Sequence, residues 1–385
     1  MKWFFIISIF LILYHYILYP ILLTFIAVFK KEKTSQINDY PFVTLLTVVH
    51  NEEDLIVEKI KNSVNLEYPK DKLEIVIASD GSDDKTVEKV KPFVNDSIRV
   101  FDYPVHEGKI TAINKTVPVC KGETIVFSDA DAQLQKDAIL ELIARFADPK
   151  IGGVCGKKCI IKGKDTFGIP QALYIAYENF IKKMEGKISS IATNTGVLYA
   201  IRKQLFIKIP DSVTDDLFSV LNIISQRYRF VYESKAKAFI SAPSSNPEHE
   251  IERRKRIVCR SLRGLWYMRK LLNPFKYRSF SIILFSHKVL RRFMPIFLLI
   301  LFLTSFHLCF NSKITGFIFL LQLLFYIQAL IYKLNIVPKS FLLLRKLTAV
   351  SYYFFLGNWG TFLGFIEFIK GKKVSKWEPK KAEYN

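Results

Sequence analysis

The sequence predicts an α/β domain built on a mainly parallel sheet and held between membrane-spanning segments. Three observations predict it. The middle of the chain repeats an apolar run, a polar or acidic loop and a helical stretch, which is the pattern of successive βαβ units. The first residues up to about 30 and the last hundred or so are dense in Phe, Leu and Ile, whereas roughly residues 34 to 290 have the mixed composition of a soluble domain. The run TIVFSDAD, Thr124 to Asp131, ends a buried-strand pattern in two carboxylates one residue apart. Ligands of open α/β sheets sit at the carboxyl ends of strands, so Asp129 and Asp131 fall where a ligand binds. Two such close acids repel each other, and a divalent cation such as magnesium, shared with substrate phosphates, is the simplest relief. Read alone, the same pair also fits a solvated loop with two ordinary acids.

Taken in order, Trp3 to Phe29 is almost wholly apolar, long enough to cross a bilayer, and is followed by Lys30, Lys31 and Lys33. A signal peptide would be shorter and would carry its basic residues in front, so a retained span with the following domain on the cytoplasmic side is expected. Phe42 to Val49 reads as a buried strand, with His50 to Glu53 opening a helix to about Val64. Leu73 to Ala78 reads as the second strand, before the acidic loop Ser79 to Asp84 and a helix over Lys85 to Val94. Ile98 to Phe101 is the third, followed by a Gly108-Lys109 turn and a helix through Asn114. Beyond the fourth strand, the spacing predicts a helix over Lys136 to Phe146, a strand over Gly152 to Ile161 and a helix over Tyr174 to Met184. A flexible Gly186 to Ser190 segment, a strand over Thr193 to Ile201 and a helix over Asp216 to Ser225 follow, with Thr214 or Asp215 placed to cap that helix.

From Pro247 to Lys270 a basic amphipathic helix is expected on the membrane surface, its apolar contributors being Ile251, Ile257, Val258, Leu262, Leu265 and Trp266. Ser281 to Leu290 reads as a second interfacial piece, and Met294 to Phe310, Ile314 to Tyr332 and Ala349 to Ile369 as later spans. Counting four crossings puts the lysine-rich tail from Lys370 outside, against the positive-inside rule, unless the last apolar stretch is interfacial or re-entrant. The units expected are thus 1–33 as an anchor, 34–246 as the catalytic domain, 247–292 as interfacial helices, and 293–385 as membrane region and tail.

The formal net charge of +21 raises nucleic acid as a partner. Its basic residues instead gather beside the apolar spans, at Lys30 to Lys33, Arg253 to Arg263, Lys288 to Arg292 and Lys370 to Lys381, and read as membrane-facing. No nucleic-acid partner is expected. The five cysteines include Cys155 and Cys159, four apart, but show no zinc-like spacing and fit reduced thiols.

Five motifs in order, TVVHNEED (Thr47 to Asp54), ASDGSDD (Ala78 to Asp84), GKITAIN (Gly108 to Asn114), SDAD (Ser128 to Asp131) and TDD (Thr214 to Asp216), carry a resemblance. On these residues the chain resembles the membrane-bound, inverting glycosyltransferases of family 2, a group that includes synthases of bacterial surface polysaccharides. The resemblance implies a GT-A fold, a Rossmann-like α/β domain that binds a nucleotide sugar, commonly a UDP-sugar, with Mg2+ or Mn2+. It places Val49, Glu52 and Asp80 on the nucleobase and Lys109 near the nucleotide. Asp129 and Asp131 fall on the metal, Asp131 more directly, and Asp216 becomes the base, with Asp215 beside it on the substrate. These roles agree with the chemistry of inverting transfer, which needs a base on the acceptor hydroxyl and stabilisation of the departing diphosphate. Helix capping alone would also account for Asp215 and Asp216, and a turn alone for Asp80-Gly81.

One departure bears on processivity. Processive members carry a Q-x-x-R-W motif, and the matching residues are Arg253 to Ile257, where only Arg256 is retained. Arg256 and Arg260 are candidates for pairing with a diphosphate or with anionic lipid headgroups. The expected function is therefore transfer of a sugar, with inversion, to a lipid-linked or polysaccharide acceptor at the plasma membrane. The alternatives are a processive synthase coupled to export and a non-catalytic nucleotide-sugar sensor or scaffold.

Overall fold

The computed structural model describes residues 1–30, 39–161, 168–241, 246–338 and 340–372. The chain enters on α1 (Lys2–Leu13), a π-helical turn at Tyr14–Leu18, and α2 (Tyr19–Val28). Strand and helix then alternate through β1 (Val43–Val49), α3 (Ile56–Val64), β2 (Leu73–Asp80), α4 (Thr86–Val90), β3 (Ile98–Tyr103), α5 (Lys109–Thr116) and β4 (Thr124–Ser128). A less regular half follows: β5 (Gln133–Leu134), α6 (Ala138–Ala144), β6 (Ile151–Ile160), α7 (Gly168–Ile188), β7 (Leu198–Arg202), α8 (Asp215–Ser225) and β8 (Arg229–Ile240). The chain closes with α9 (Pro247–Tyr267), α10 (Pro274–Tyr277), α11 (Ser279–Leu284), a second π-turn at Phe285–Val289, α12 (Leu290–Leu308), α13 (Lys313–Lys333) and α14 (Leu342–Ile369).

All eight strands form one sheet in the order β3-β2-β1-β4-β7-β6-β8-β5. The first four are parallel, as the repeated apolar runs require, while β7 joins β4 and β6 antiparallel. Strand order reverses beside β1, so the loops after β1, β2, β3 and β4 open into one crevice. Alternating side chains feed two cores. Val43 and Leu45 pack with Ile56 and Ile60 of α3 and Ile139 of α6 on one face. Leu46 packs with Ile110 and Ile113 of α5 on the other, in a core that continues through Leu217 and Val258 to Phe280 and Ile283. The α/β domain and the helices after it therefore share one continuous core.

Several expectations change. The helix after β1 starts at Ile56, because residues 50–55 are tied to the β2–α4 loop rather than wound. Gly186 to Ile188 belong to α7, and β7 begins only at Leu198, with Thr193 to Val197 left as loop. β8, the long strand beside β6, was not read from the sequence, and neither was β5. Cys155 and Cys159 lie on a strand, and the five thiols are all free. Trp266, expected on the apolar face of α9, is 65% exposed.

The membrane region also differs. Ser279–Leu308 is one continuous helical stretch rather than an interfacial piece and a short span. Among the described residues three helices are long and apolar enough to cross a membrane: Lys2–Val28, Ser279–Leu308 and Lys313–Lys333. The fourth candidate, Ala349 to Ile369, lies in α14, which packs closely along α9 and also against α12 and α13. Its glycines permit that approach. A Cβ on Gly364 would stand 2.6 Å from the carbonyl oxygen of Lys255 and 2.7 Å from Cβ of Val258, and one on Gly360 would stand 2.9 Å from Cβ of Arg254. Lys31, Lys33 and the tail beyond Lys372 lie outside the described residues.

The contact predicts that Gly364→Ala pushes α14 from α9 and destabilises the protein by about 1–3 kcal/mol, the usual penalty for overpacking. The change is read as a lower Tm in detergent, beside an unaltered Gly168→Ala control, since nothing lies within 4 Å of a Cβ there.

Candidate active site

The first three loops are bound to one another by side chains that were recognisable in the motifs. The amide of Glu52 donates to the Thr86 hydroxyl at 2.8 Å, that of Glu53 to Asp84 at 3.2 Å, and that of Asp83 to the Asn51 side chain at 3.0 Å. Val49 ends β1 with its side chain in the core, only 2% exposed, so only its backbone faces the crevice. Asp80 ends β2, and its carboxylate accepts from the amides of Glu107 at 3.0 Å and Gly108 at 2.8 Å, with His106 Nδ1 at 2.9 Å. His50 and His106 stack face to face with ring centroids 3.8 Å apart. Gly81 is required beneath them: its φ is +65°, and a Cβ would lie 2.3 Å from the His106 nitrogen.

Asp80 thus fixes the start of α5, and α5 begins with Lys109. Its ammonium donates to Asp129 at 2.6 Å and stands 3.5 Å from Asp215. Burial works against its charge, but the carboxylates of Asp129 and Asp215 outweigh that and hold its pKa well above the ordinary lysine value. Asp131 is exposed in the same loop. Partial burial and then the neighbouring Asp129 raise its pKa, with Lys158, Lys59 and Lys109 opposing. Among the described residues no cluster of three or more His, Cys, Asp or Glu stands ready to hold a metal. Two adjacent acids, one destabilised by the other, fit a hard divalent ion that takes most of its shell from phosphate oxygens and water.

Asp216 lies in the first turn of α8, its Oδ1 accepting from the amide of Leu217 at 2.8 Å. Thr214 is the N-cap by backbone, and its hydroxyl makes no cap bond. Asp216 lines a cavity of about 210 Å³ at the seam with α7, α9, α12 and α14. Arg260 donates twice to the carbonyl of Val213, at 2.9 and 2.6 Å, bracing the loop that delivers the acid pair. Arg256 is near enough to Asp215 to feel its charge; burial, then Arg260 and Arg253, push its pKa down to about 10.

The described family Glycosyl transferase family 2 matches residues 44–209, from β1 to the approach of α8. Over this stretch the chain is similar to glycosyl transferase family 2. A β-monoglucosyldiacylglycerol synthase of Nostoc sp. is 31% identical over 188 residues, 46% of this chain and 40% of that protein. A poly-β-1,6-N-acetyl-D-glucosamine synthase of Staphylococcus aureus is 26% identical over 223 residues, 56% of this chain and 54% of that protein. The chain thus spans about half the length of these relatives. A mannosyltransferase from Pyrobaculum calidifontis, solved with GDP-Man and Mn2+, superposes with a TM-score of 0.70 at 21% identity over 96% of this chain and 99% of that one. The fold of the α/β domain is the GT-A fold, joined to candidate transmembrane helices.

Two features of the site were missed in sequence. Much of the charge assigned to a membrane face points inward: Arg253, Arg254, Lys288, Arg291 and Arg292 line the cavity with Asp216. Composition locates such charges along the chain but not the direction in which a helix presents them. Lys59 was also missed. It is fully buried on α3 under the SDAD loop, donating to the Ser128 hydroxyl at 2.6 Å and the Ala132 carbonyl at 2.7 Å. A lysine at an apolar position of the helix beginning Ile56 was the available signal.

Burial pushes the Lys59 pKa from 10.5 down to about 7, against the pull of Asp129 and Asp131. Between those values the unfolded chain binds a proton that the folded protein does not, so folding stability rises with pH across that window. Lys59→Met removes the titrating group, and its thermal unfolding between about pH 7 and 10 is expected to lose this rise. An identical pH slope in both proteins would show that Lys59 is not the source.

Proposed function

We propose that the protein is a membrane-anchored inverting glycosyltransferase that moves a sugar from a nucleotide-diphosphate donor to a lipid-linked or glycan acceptor. One observation carries this reading. Lys109 gathers Asp129 and Asp215 at the mouth of the crevice, while Asp216, one residue on, lines the cavity at the seam with the later helices. Donor and acceptor would meet between them. The loops around Val49, Glu52 and Asp80 take the nucleobase, and UDP-sugars are the first donors to test. A divalent ion at Asp131 and Asp129, when bound, supplies charge for the leaving diphosphate. Lys109 adds a second cation there.

Asp216 acts on the acceptor. The acceptor oxygen attacks the anomeric carbon from the face opposite the diphosphate, and its proton passes to the Asp216 carboxylate. The bond from that carbon to the phosphate oxygen breaks, and its electron pair leaves with the nucleoside diphosphate. The relatives' names, a glucosyldiacylglycerol synthase and a polymeric glucosamine synthase, support acceptors of the lipid and glycan classes. Arg253 and Ile257 in place of the processive motif support addition of one or a few sugars rather than a long chain.

Sidedness follows from three crossings rather than four. The catalytic domain follows the first, and the chain from α14 onward returns to the same side after the third. Lys370 and Lys372 then lie with the catalytic domain on the cytoplasmic face, in keeping with the positive-inside rule.

Asp131→Ala is expected to weaken metal-dependent UDP binding by about tenfold or more, whereas Asp216→Asn retains that binding and abolishes transfer. Calorimetry and sugar release with a panel of UDP- and GDP-sugars separate the two, and normal turnover by Asp216→Asn would refute the base assignment. Product length at limiting enzyme tests the mode of addition: long chains beside unused acceptor would refute limited addition.

A further inference from the structure

The cavity beside Asp216 carries more positive charge than its own residues neutralise. Glu178 takes Arg291 and Lys182, and Glu250, just behind the wall, takes Arg253 and Arg254. Three cations remain. Lys288, 8% exposed, and Lys158 have no hydrogen-bond or ion-pair partner for their ammonium groups among the described residues. Arg292 has only the Ser261 hydroxyl at 3.0 Å, and its Nε is buried without a partner. The wall carboxylates are Glu178, already paired, and Asp216. Burial, then the nearby Arg253, push the Lys158 pKa down to about 8. Burying unpaired cations is costly unless an anion joins them.

The backbone is built to aim these cations inward. π-turns interrupt both the first candidate span, at Tyr14–Leu18, and the second, at Phe285–Val289, and the two turns meet. The Tyr14 hydroxyl lies 2.8 Å from Ser286 Oγ, and His15 Nδ1 lies 3.1 Å from the Ser286 carbonyl oxygen. His287 is held at 2.6 Å from Glu185, which also accepts from the Tyr19 hydroxyl at 2.8 Å. Such wide turns occur chiefly at functional sites. Here the second one carries Lys288 and leads into Arg291 and Arg292.

An apolar groove continues from the same helix face. Lys288 and Arg292 of the cavity are followed at helical spacing by Pro295 and Leu299, which line a second cavity of about 290 Å³. On α14, Thr361 lines the first cavity, and Asn358 and Phe354, within two turns, line the second. The groove is walled by Phe302, Phe355 and Trp359 and is almost wholly apolar. At about 210 Å³ the basic cavity is smaller than the ~300–1,000 Å³ typical of sites that enclose a nucleotide-sized ligand.

We infer that cavity and groove together bind a lipid-borne phosphate, with the phosphoryl group on Lys288, Arg292 and Lys158 and the hydrocarbon chain along Pro295, Leu299 and Phe302. This rests on the proposed transfer reaction and deepens it: the acceptor is a phosphate-bearing lipid whose headgroup is presented to Asp216. Guanidinium and ammonium groups suit a phosphate dianion, and the groove supplies what a free phosphate cannot use.

The test uses the full-length protein in neutral detergent, titrated with dihexanoyl phosphatidic acid, with dihexanoylglycerol as the phosphate-free probe and inorganic phosphate as the chain-free probe. The phosphatidic acid is expected to bind about tenfold or more tightly than either, and Lys288→Met combined with Arg292→Met to remove that advantage. UDP binding with magnesium is measured on the same samples. Equal binding of inorganic phosphate, or of dihexanoylglycerol, would overturn the lipid-phosphate assignment. So would undiminished phosphatidic acid binding by the double variant, and loss of UDP binding in its place would give the cavity to the donor diphosphate. Folding is followed by Tm: without ligand, removing unpaired buried cations is expected to leave Tm equal or higher, and only the wild-type Tm rises with phosphatidic acid. Failure of the wild type to bind UDP counts against the transferase reading alone, because the lipid titration is scored separately.

Discussion

The Lys109 bridge between Asp129 and Asp215 is the interaction on which the rest of the site depends. It joins the two unlike halves of the sheet, since Asp129 follows the last of the parallel strands and Asp215 opens a helix of the antiparallel half. Its position is inherited. Asp80 receives the amides of Glu107 and Gly108, Gly108 turns with φ of +101°, and α5 begins at the residue whose ammonium reaches both acids. Behind the acidic loop, Lys59 clasps Ser128 and Ala132 from the opposite core. The acids are therefore held between one lysine in the crevice and one in the interior, which is how like charges stay close in a rigid loop.

A second arrangement of the same kind lies at the seam with the membrane helices. There the excess charge is positive, and Glu178, Glu185 and Glu250 offset only part of it. The seam is not a loose tether. The core on the α5 side of the sheet runs without a break into Phe280, Ile283 and Leu284, and glycines let α14 lie against α9.

The parallel half of the sheet was legible because β1, β2 and β4 are short apolar runs buried on both faces and closed by polar loops. The acids at those strand ends were legible for the same reason. β8 was not, since Arg229–Ile240 mixes Glu233, Lys235 and Lys237 with its apolar residues and takes its identity from pairing with β6. The start of β7 was misjudged because Thr193 to Val197 have strand-forming residues but their backbone turns back toward Asp216.

What the sequence determined by itself is what local pattern carries: the alternation of strands and helices, the apolar ends, and the order of the acidic motifs. Only the tertiary structure decided where charge points. Arg253, Lys288 and Arg292 read as membrane-facing cations because they adjoin apolar runs, yet they converge on an interior cavity with Asp216. The physical reason is that a helix's charged residues take their direction from what packs on its other faces. Here that is the joint burial of α7, α9, α12 and α14 around two π-turns, a long-range arrangement with no local signature.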